Sequence, residues 1–426
     1  MFQKNTHIHF IGIGGSGISS LAHLALHKGA TVSGSDGNEN LNTAQLKKGG
    51  VKINRGHHAK NLQDSVNLVI YSEAINQQEN PEFLKAKERK IPCMSYFQAL
   101  GELSKEKKTI VVTGTHGKTT TTAMLGKILM DAGLDPLVIV GSRVPDFEGK
   151  NIHLGDGEWF VVEACEYRES FLNFEPFGMI LLNCEWEHVD HYKTENDYKK
   201  AYEKLTQKLP QDGLLVFNHK DKNSVDVAHQ SKVKSSGVGE VEAGEIELQI
   251  PGEFNKLNAA HALKISEAIG IDKGIILESL KTFKGTARRM EIKGEMNGIL
   301  IMDDYAHHPT EIKASLGALK EKYPKKRLIC IFQPHQYSRT LEFLEGFKTA
   351  FQKADVVIIP NIYEARDTKE DMAKINGEAL CQEIPNATWG DGFENTIQQL
   401  KSELKTGDLL VTMGAGDVYK IGEVLQ

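Results

Sequence analysis

Short runs of apolar residues alternate with longer stretches of helical periodicity along the chain. The run HIHFIGI is followed by a glycine turn and the helix-like ISSLAHLALHKG, and TIVVTG is followed in the same way by TTAMLGKILMDAGL. Further along, GILIMDDY precedes TEIKASLGALKEKY. Strands that alternate with helices favour parallel sheets, so the pattern predicts an α/β fold. The alternation restarts near Ser104 and around Gly285, which divides the chain into three segments.

Three stretches give more specific expectations. The polar stretch from Asp221 to Glu247 holds few large apolar residues, so we expect short strands and loops there. Apolar positions three or four residues apart predict one helix over residues 255–270 and another through Leu341–Phe351.

Length and charge narrow the class of protein. At about 150 residues per domain, a chain of 426 residues is expected to form two or three domains. Its 57 acidic residues exceed its 51 lysines and arginines, giving a net charge of −6. Proteins that bind nucleic acid non-specifically need a cationic surface, so that function is disfavoured. An enzyme acting on small molecules is compatible with this charge.

The location of the protein is also constrained. The chain has no apolar run of the ~18 residues needed to span a bilayer, so we expect no membrane insertion. The N-terminal stretch lacks the basic start and cleavage site of a signal peptide. Five widely spaced cysteines without a CxxC pair indicate neither a disulfide framework nor a structural zinc site. A reducing cytoplasm is the simplest expectation.

The first chemical motif is GIGGSG, residues 12–17, with Asp36 at the end of the next strand. Glycines in such a turn let the backbone approach a pyrophosphate, and the helix that follows supplies N–H groups. The motif predicts a site for a dinucleotide or another nucleotide diphosphate. The alternative is a tight strand–helix turn without a ligand.

The second motif is VVTGTHGKTTTT, residues 111–122. Its backbone N–H groups can cradle phosphates, Lys118 can reach the β and γ oxygens, and the Thr119 hydroxyl can ligate Mg²⁺. Val112 stands where a strict GxxxxGK[ST] loop has its first glycine. A purely structural turn explains the threonines after Gly-Lys poorly, so we predict phosphate binding.

Acidic residues and histidines follow two later strands, in EWFVVEACEYRESF and MILLNCEWEHVDHY. Glu163 and His188 are candidates to converge on Mg²⁺ at the ligand-binding edge of a parallel sheet. The alternative is that both are solvated residues at strand ends. We expect Cys165 to be a packing residue, and we expect the remaining acidic residues to cap helices or lie on the surface: Glu166, Glu185, Glu187 and Asp190.

Two polar motifs follow strands in the third segment, DDYAHHPTE at residues 303–311 and QPHQYSRT at residues 333–340. His335, Tyr337 and Arg339 alternate, so an extended stretch would point them to one side. A guanidinium group such as that of Arg339 suits bidentate capture of a carboxylate. A polar surface loop is the alternative.

The motifs as a set resemble the Mur ligase family of peptidoglycan-precursor enzymes. The resemblance spans nearly the whole chain, through GIGGSGIS, GSD, GHHAKN, NPE, GTHGKTTTT, ARRME, DDYAHHPTEI and FQPHQYSRT in this order. It implies three domains. Residues 1–104 would form a Rossmann-like UDP-binding domain, residues 105–284 a central P-loop ATPase-type domain with a parallel sheet, and residues 285–426 a Rossmann-like amino-acid-binding domain.

The resemblance also assigns roles to residues of this sequence. UDP binding falls on Gly12, Gly14, Gly15, Ser16, Gly17, Asp36, His57 and Ser72. ATP binding falls on Gly114, Thr115, His116, Gly117, Lys118, Thr119, Thr120, Asn258, Arg289 and Asp304. The Mg²⁺ region has Thr119, Glu163 and His188, and the amino-acid site has Tyr305, His307, His335 and Arg339. The catalytic set is Lys118, Glu163, His188 and His307.

The implied reaction uses ATP to phosphorylate the lactyl carboxylate of UDP-N-acetylmuramate, which an amino acid then attacks. The L-alanine-adding activity is favoured over the recycling activity that attaches a whole tripeptide. An NAD-dependent oxidoreductase, suggested by GIGGSG alone, is disfavoured because it would not use the second glycine loop. The chain departs from the family pattern at Cys165, Arg168, Phe254 and Gln336, and before Glu247. The departures at Gln336 and before Glu247 leave the acceptor amino acid open.

Overall fold

The computed structural model describes residues 1–189, 191–365 and 367–425. The chain forms two compact units, residues 1–246 with 258–281, and residues 247–257 with 282–426. The first unit holds two sheets and the second holds one, and helices follow most of the strands. The predicted α/β fold class is confirmed. The three domain boundaries stay predictions.

The first sheet is parallel and has five strands in the order β3-β2-β1-β4-β5. Its strands are β1 His7–Ile11, β2 Thr31–Asp36, β3 Lys52–Arg55, β4 Leu68–Tyr71 and β5 Cys93–Ser95. Its helices are α1 Ser16–His27, α2 Leu41–Lys48, α3 Pro81–Glu88 and α4 Tyr96–Ser104. The strand order reverses at β1, where an open parallel sheet forms a ligand crevice at its carboxyl edge.

The second sheet has seven strands in the order β12-β11-β10-β6-β9-β7-β8. The strands are β6 Lys108–Thr113, β7 Leu137–Val144, β8 Lys150–Leu154, β9 Trp159–Glu163, β10 Gly178–Leu181, β11 Leu214–Asn218 and β12 Lys234–Val238. The helices are α5 Lys118–Asp131, α6 Glu195–Thr206, α7 Lys222–His229, α8 Glu240–Ala243, α9 Glu253–Ala268 and α10 Lys273–Lys281. Edge strand β8 is antiparallel to β7, because the turn between them is too short for a crossover.

The third sheet has six strands in the order β13-β14-β18-β15-β16-β17. The strands are β13 Glu291–Met296, β14 Ile299–Asp304, β15 Leu328–Phe332, β16 Val356–Ile359, β17 Ala387–Trp389 and β18 Leu409–Met413. The helices are α11 Pro309–Lys322, α12 Tyr337–Glu342, α13 Leu344–Ala350, α14 Lys369–Lys374, α15 Gly377–Glu383, α16 Gly392–Glu403 and α17 Tyr419–Val424. Strands β13 and β14 form an antiparallel hairpin, because Asn297 and Gly298 both have positive φ and make a two-residue turn.

Two local expectations are wrong. The polar stretch from Asp221 to Glu247 contains helices α7 and α8 beside β12. Helix α7 forms because Ser224, Val227 and Ala228, spaced three and four residues apart, bury one face. The helix expected through Leu341–Phe351 is two shorter helices, α12 and α13, with Phe343 between them.

The apolar core of the first unit is continuous from one sheet to the other. Helix α1 packs against β7 and β8, and helix α4 packs against the 3-10 segment Tyr167–Asn173. Gly101 lies where α4 meets that segment, and a Cβ there would stand 2.4 Å from the carbonyl oxygen of Asn173. No real Cβ makes such a contact, so close approach of the two backbones requires glycine.

We expect Gly101→Ala to lower the free energy of unfolding by about 1–3 kcal/mol, the usual cost of overpacking. Gly317→Ala in helix α11 is the matched control, because a Cβ there meets no atom within 4 Å. Alanine favours helix more than glycine does, so the control should be unchanged or stabilised by up to about 1 kcal/mol. Thermal unfolding of the full chain measures both. A Gly101→Ala variant as stable as the wild type would contradict the packing described.

Candidate functional site

The glycine turn after β1 has the geometry expected of an anion-binding turn. Gly12 has φ +78°, and helix α1 begins four residues later. The N–H of Gly14 donates to Oδ2 of Asp36 at 2.8 Å, and the amides of Asn40 and Asn42 donate to the Gly14 carbonyl. A Cβ on Gly14 would stand 2.9 Å from the same Asp36 oxygen. Asp36 therefore lies against the turn and holds its shape.

The other residues predicted to bind UDP reach the same edge of the sheet. The N–H of Ser72 donates to the Ile11 carbonyl at the end of β1. The N–H of Gly56 donates to the Asp36 carbonyl, which places His57 just beyond β3. Ser16 contacts the second sheet, where its hydroxyl donates to the Gly141 carbonyl at 3.2 Å. The edge combines a helix N-terminus with polar side chains, a setting that suits a nucleotide diphosphate.

The second glycine loop joins β6 to α5, which begins at Lys118. Gly114 and Gly117 have φ +133° and +84°. The loop is fixed by Asn183, whose Oδ1 accepts from the N–H of His116 and whose Nδ2 donates to its carbonyl. Asn258 also contacts the loop, since a Cβ on Gly117 would stand 2.4 Å from its Oδ1. Gly114 to Thr120 and Asn258 therefore lie together.

The Lys118 ammonium lies inside this loop. It donates to the carbonyls of Gly114 and Thr115 and forms an ion pair with Glu166, with 3.0 Å between Nζ and Oε2. Burial alone would raise the pKa of Glu166, but the Lys118 charge and a hydrogen bond from His188 lower it to about 2. Burial by itself would lower the pKa of Lys118. The negative charge of Glu166 outweighs this effect, so the pKa of Lys118 is raised.

The expectation that Glu166 and Glu187 lie on the surface is wrong, because both are buried. The Glu166 carboxylate lies inside the protein because it balances the positive charge of Lys118. Glu185 is half exposed and contacts His116, with 2.8 Å between Oε2 and Nε2. Asp190 lies outside the described residues.

The predicted metal ligands form two groups. The Thr119 hydroxyl lies 3.0 Å from both carboxylate oxygens of Glu163, which also accepts from the N–H of Gly141. His188 instead contacts Glu166 at 3.2 Å and Glu187 at 4.0 Å. Glu166, Glu187 and His188 each place one possible metal-ligand atom within 4.8 Å of those of the other two. Sequence reasoning missed Glu166 and Glu187, although Glu166 follows Glu163 by three residues at the same strand end.

The donor sets suit Mg²⁺. Glu163 and Thr119 offer hard oxygen atoms beside the phosphate-type loop, which is the donor chemistry this ion prefers. The second group offers two further carboxylates and an imidazole. The first group has one carboxylate and the second has two, of which Glu166 also pairs with Lys118.

The other predicted ATP-binding residues belong to the second unit. Asp304 ends β14, and burial raises its pKa to about 6. The Arg289 guanidinium lies 4.9 Å from the ring centre of Tyr305. The neighbouring Arg288 has a structural role, because it pairs with Asp303 at 2.8 Å and donates to the carbonyls of Gly414 and Gly416.

Three of the four residues predicted to bind the amino acid, Tyr305, His307 and His335, lie together in the second unit. The rings of Tyr305 and His307 have centres 5.5 Å apart, and those of His307 and His335 have centres 6.4 Å apart. The His307 Nδ1 atom lies 3.0 Å from the Tyr305 carbonyl, so this nitrogen carries the hydrogen and donates. The His335 ring stacks on Tyr363. The Arg339 guanidinium lies 5.9 Å from the ring centre of Phe343.

The stretch through His335, Tyr337 and Arg339 is not extended, so the condition for a shared side is not met. Helix α12 begins at Tyr337, because the Asp367 carboxylate accepts from the N–H groups of Tyr337 and Ser338. Residues two apart on a helix point in nearly opposite directions, so Tyr337 does not share a side with Arg339. The Gln336 side chain donates to the Ala365 carbonyl at 2.6 Å.

Comparison with known proteins shows which family the chain resembles over its whole length. Models of three Mur ligase domains match the chain: the family's catalytic domain over residues 7–108, the middle domain over 112–242 and the glutamate ligase domain over 288–416. UDP-N-acetylmuramate–L-alanine ligases of Clostridium kluyveri and Clostridium novyi are 40% and 41% identical to it. Each alignment covers 99% of this chain, with 98% and 97% of the two relatives.

Solved structures give the same result. The UDP-N-acetylmuramate–alanine ligase of Thermotoga maritima superposes with a TM-score of 0.81 at 28% identity, covering 98% of both chains. A murein peptide ligase of Psychrobacter arcticus superposes with a TM-score of 0.75 at 25% identity, covering 99% of this chain and 98% of that one. With matches that extend over its whole length, the chain belongs to the Mur ligase family.

Proposed function

We propose that this protein is an ATP-dependent ligase that joins L-alanine to the lactyl carboxylate of UDP-N-acetylmuramate in peptidoglycan precursor synthesis. The observation that carries the proposal is the Lys118 ammonium, largely buried and paired with Glu166, in a glycine loop at the N-terminus of α5. Full-length similarity to ligases named for these substrates supports the choice of substrates.

The reaction needs two steps. A lactyl carboxylate oxygen attacks the γ-phosphorus of ATP, the bond to the β-phosphate oxygen breaks, and ADP leaves. The amine of L-alanine then attacks the acyl carbon, the bond to the phosphate oxygen breaks, and the amine loses a proton. The first step brings an anion to a triphosphate, so fixed positive charge at the loop is the main requirement.

The residues of the first unit meet this requirement. Lys118 lies where it can exchange Glu166 for phosphate oxygens, and helix α5 begins at the same residue, so its N-terminal N–H groups can donate to a phosphate. Thr119, Glu163 and His188 are the proposed Mg²⁺ ligands, and Glu166 and Glu187 are available beside His188. When bound, the ion would offset the negative charge of the triphosphate.

The two remaining substrates use other parts of the chain. The glycine turn after β1, with Asp36, His57 and Ser72, binds the UDP moiety. In the second unit, Tyr305, His307, His335 and Arg339 form the site for the amino acid.

The cytoplasm is the proposed location, since ATP and UDP-linked precursors are available there. Among the described helices, none combines the length and apolar character needed to cross a bilayer.

The first test is substrate-dependent phosphate release. With ATP, Mg²⁺ and UDP-N-acetylmuramate present, we expect L-alanine to give the highest kcat/KM among L-alanine, L-serine, glycine and the tripeptide of the recycling reaction. Each reaction is followed by inorganic phosphate and by mass spectrometry of the product. Faster turnover with the tripeptide would assign the chain to recycling instead.

The second test concerns Lys118. We expect Lys118→Ala to lower kcat by at least ~10²–10³, about 2.7–4 kcal/mol, because one pre-organised charge stabiliser is lost. Affinity for UDP-N-acetylmuramate, measured by calorimetry, should stay within a few-fold. Lys127→Ala on the same helix is the control, since Lys127 pairs with Asp131 one turn away and should leave kcat unchanged. Near-normal phosphate release by Lys118→Ala would refute the role of the loop.

The third test concerns Arg339. We expect Arg339→Ala and Arg339→Lys to raise the KM for L-alanine at least tenfold, because a guanidinium pairs with a carboxylate through two hydrogen bonds and an ammonium does not. The KM values for ATP and UDP-N-acetylmuramate should change by less than a few-fold. Lys369→Ala, at an exposed position of the same unit, is the control. Loss of UDP-N-acetylmuramate affinity with the KM for L-alanine unchanged would show that the acceptor site is misassigned.

A further inference from the structure

A fully buried carboxylate lies under the UDP edge of the first sheet, outside every site described above. Glu82 is in the first turn of α3, and its side chain has no exposed surface. Oε1 accepts from the His58 N–H at 3.1 Å and from Asn61 Nδ2 at 2.6 Å. Oε2 accepts from His9 Nε2 at 3.1 Å and from the Ser35 hydroxyl at 2.6 Å.

Four hydrogen bonds explain how a charge persists there. A carboxylate has about four acceptor positions, and here four donors occupy them. Burial pushes the pKa of Glu82 upward, but the hydrogen bonds from His9, Ser35 and Asn61 outweigh it and leave this pKa below its ordinary value. The N-terminal end of α3 also favours a negative charge.

The ionised carboxylate sets the direction of the hydrogen bonds that reach it. It only accepts, so the single hydrogen of the Ser35 hydroxyl points to Glu82. The same Ser35 oxygen lies 2.9 Å from Nδ1 of His57. Because its hydrogen is already used, Ser35 must accept there, and Nδ1 of His57 must carry a hydrogen. A neutral His57 then has its lone pair on Nε2.

His57 differs from the rest of this network in exposure. Its side chain is 25% exposed, whereas Glu82 is 0% exposed. Ser35 and His9 are also fully buried. His57 follows β3 at the edge that carries Asp36 and the glycine turn. A ligand at this edge can therefore touch His57 but not Glu82.

We infer that Glu82 is a positioning residue that, through Ser35, holds His57 in the Nδ1–H form, so that Nε2 accepts a hydrogen bond from the bound nucleotide. The donor is either the N3–H of uracil or a ribose hydroxyl. The identity of this nucleotide as a uridine diphosphate rests on the proposed function. The state of the His57 ring rests only on the contacts above.

The first experiment needs no ligand. Nitrogen-15 spectra of the full chain with labelled histidine, at a pH where His57 is neutral, distinguish the protonated ring nitrogen from the unprotonated one. His57→Gln identifies the signals. We expect Nδ1 to be protonated in the wild type and the two forms to mix in Ser35→Ala, which removes the connecting hydroxyl. A wild-type His57 protonated at Nε2 would overturn the inference even if uridine nucleotides bind.

Glu82→Gln gives the sharper change. The His58 N–H and the Asn61 Nδ2 both donate to the Oε1 position of residue 82, so the oxygen of the new glutamine amide occupies that position. The NH₂ group of the glutamine then faces Ser35. Ser35 then accepts from the amide and donates to Nδ1, and the hydrogen of His57 moves to Nε2. Glu88→Gln, on the exposed side of the same helix, is the control and should leave the His57 signals unchanged. If Glu82→Gln does not fold, Ser35→Ala decides the question alone.

The second experiment measures binding of UDP and CDP by calorimetry, with ATP as the reference ligand. We expect Glu82→Gln and Ser35→Ala to weaken UDP binding about threefold to tenfold, as for loss of one hydrogen bond, with ATP binding unchanged. Cytosine lacks the N3–H, so a loss limited to UDP identifies the base as donor, and an equal loss for CDP identifies the ribose. Unchanged UDP affinity in a variant whose His57 ring has switched would overturn the inference. A wild type that binds no UDP would instead refute the proposed function and leave the ring measurement standing.

Discussion

The ion pair between the largely buried Lys118 and the fully buried Glu166 is the interaction on which the candidate active site depends. Taking an ammonium group out of water costs several kcal/mol unless an opposite charge and hydrogen bonds replace the water. Here Glu166 supplies the charge, and the carbonyls of Gly114 and Thr115 supply hydrogen bonds. The Lys118 ammonium group is thereby held inside the glycine loop.

The same pair organises the strand ends around it. Glu166 also contacts His188, and its carbonyl accepts from the Tyr192 hydroxyl. The loop after β6, the segment after β9 and the segment after β10 are thus joined through one carboxylate. A triphosphate that binds Lys118 must compete with Glu166. A carboxylate released from Lys118 beside Glu187 and His188 is then available to a divalent cation.

Much of this arrangement could be predicted from the sequence. The α/β class followed from alternating apolar runs, and both glycine loops lie between a strand and a helix as their composition indicated. Burial of Glu166 could not be predicted, because local sequence does not show that Lys118, distant along the chain, needs a counter-charge. Helix α12 was missed for a similar reason, since its N-terminus is capped by Asp367 from a later loop. The Asn297–Gly298 hairpin, by contrast, carried a local signal that the strand–helix pattern overlooked.

Two departures from the family pattern have structural explanations. Phe254 packs against the apolar core of the second unit, next to Gly252, so a hydrophobic side chain suits its surroundings. Gln336 binds the Ala365 carbonyl, which makes it part of the loop framework at the start of α12. Burial raises the pKa of the Cys165 thiol to about 12, which disfavours the reactive thiolate.

The central claim of the proposed function is phosphoryl transfer from ATP to the substrate carboxylate. The most direct measurement uses UDP-N-acetylmuramate with both lactyl carboxylate oxygens labelled with oxygen-18. The account predicts one labelled oxygen in the released phosphate and one in the product amide, and phosphate released without label would contradict it.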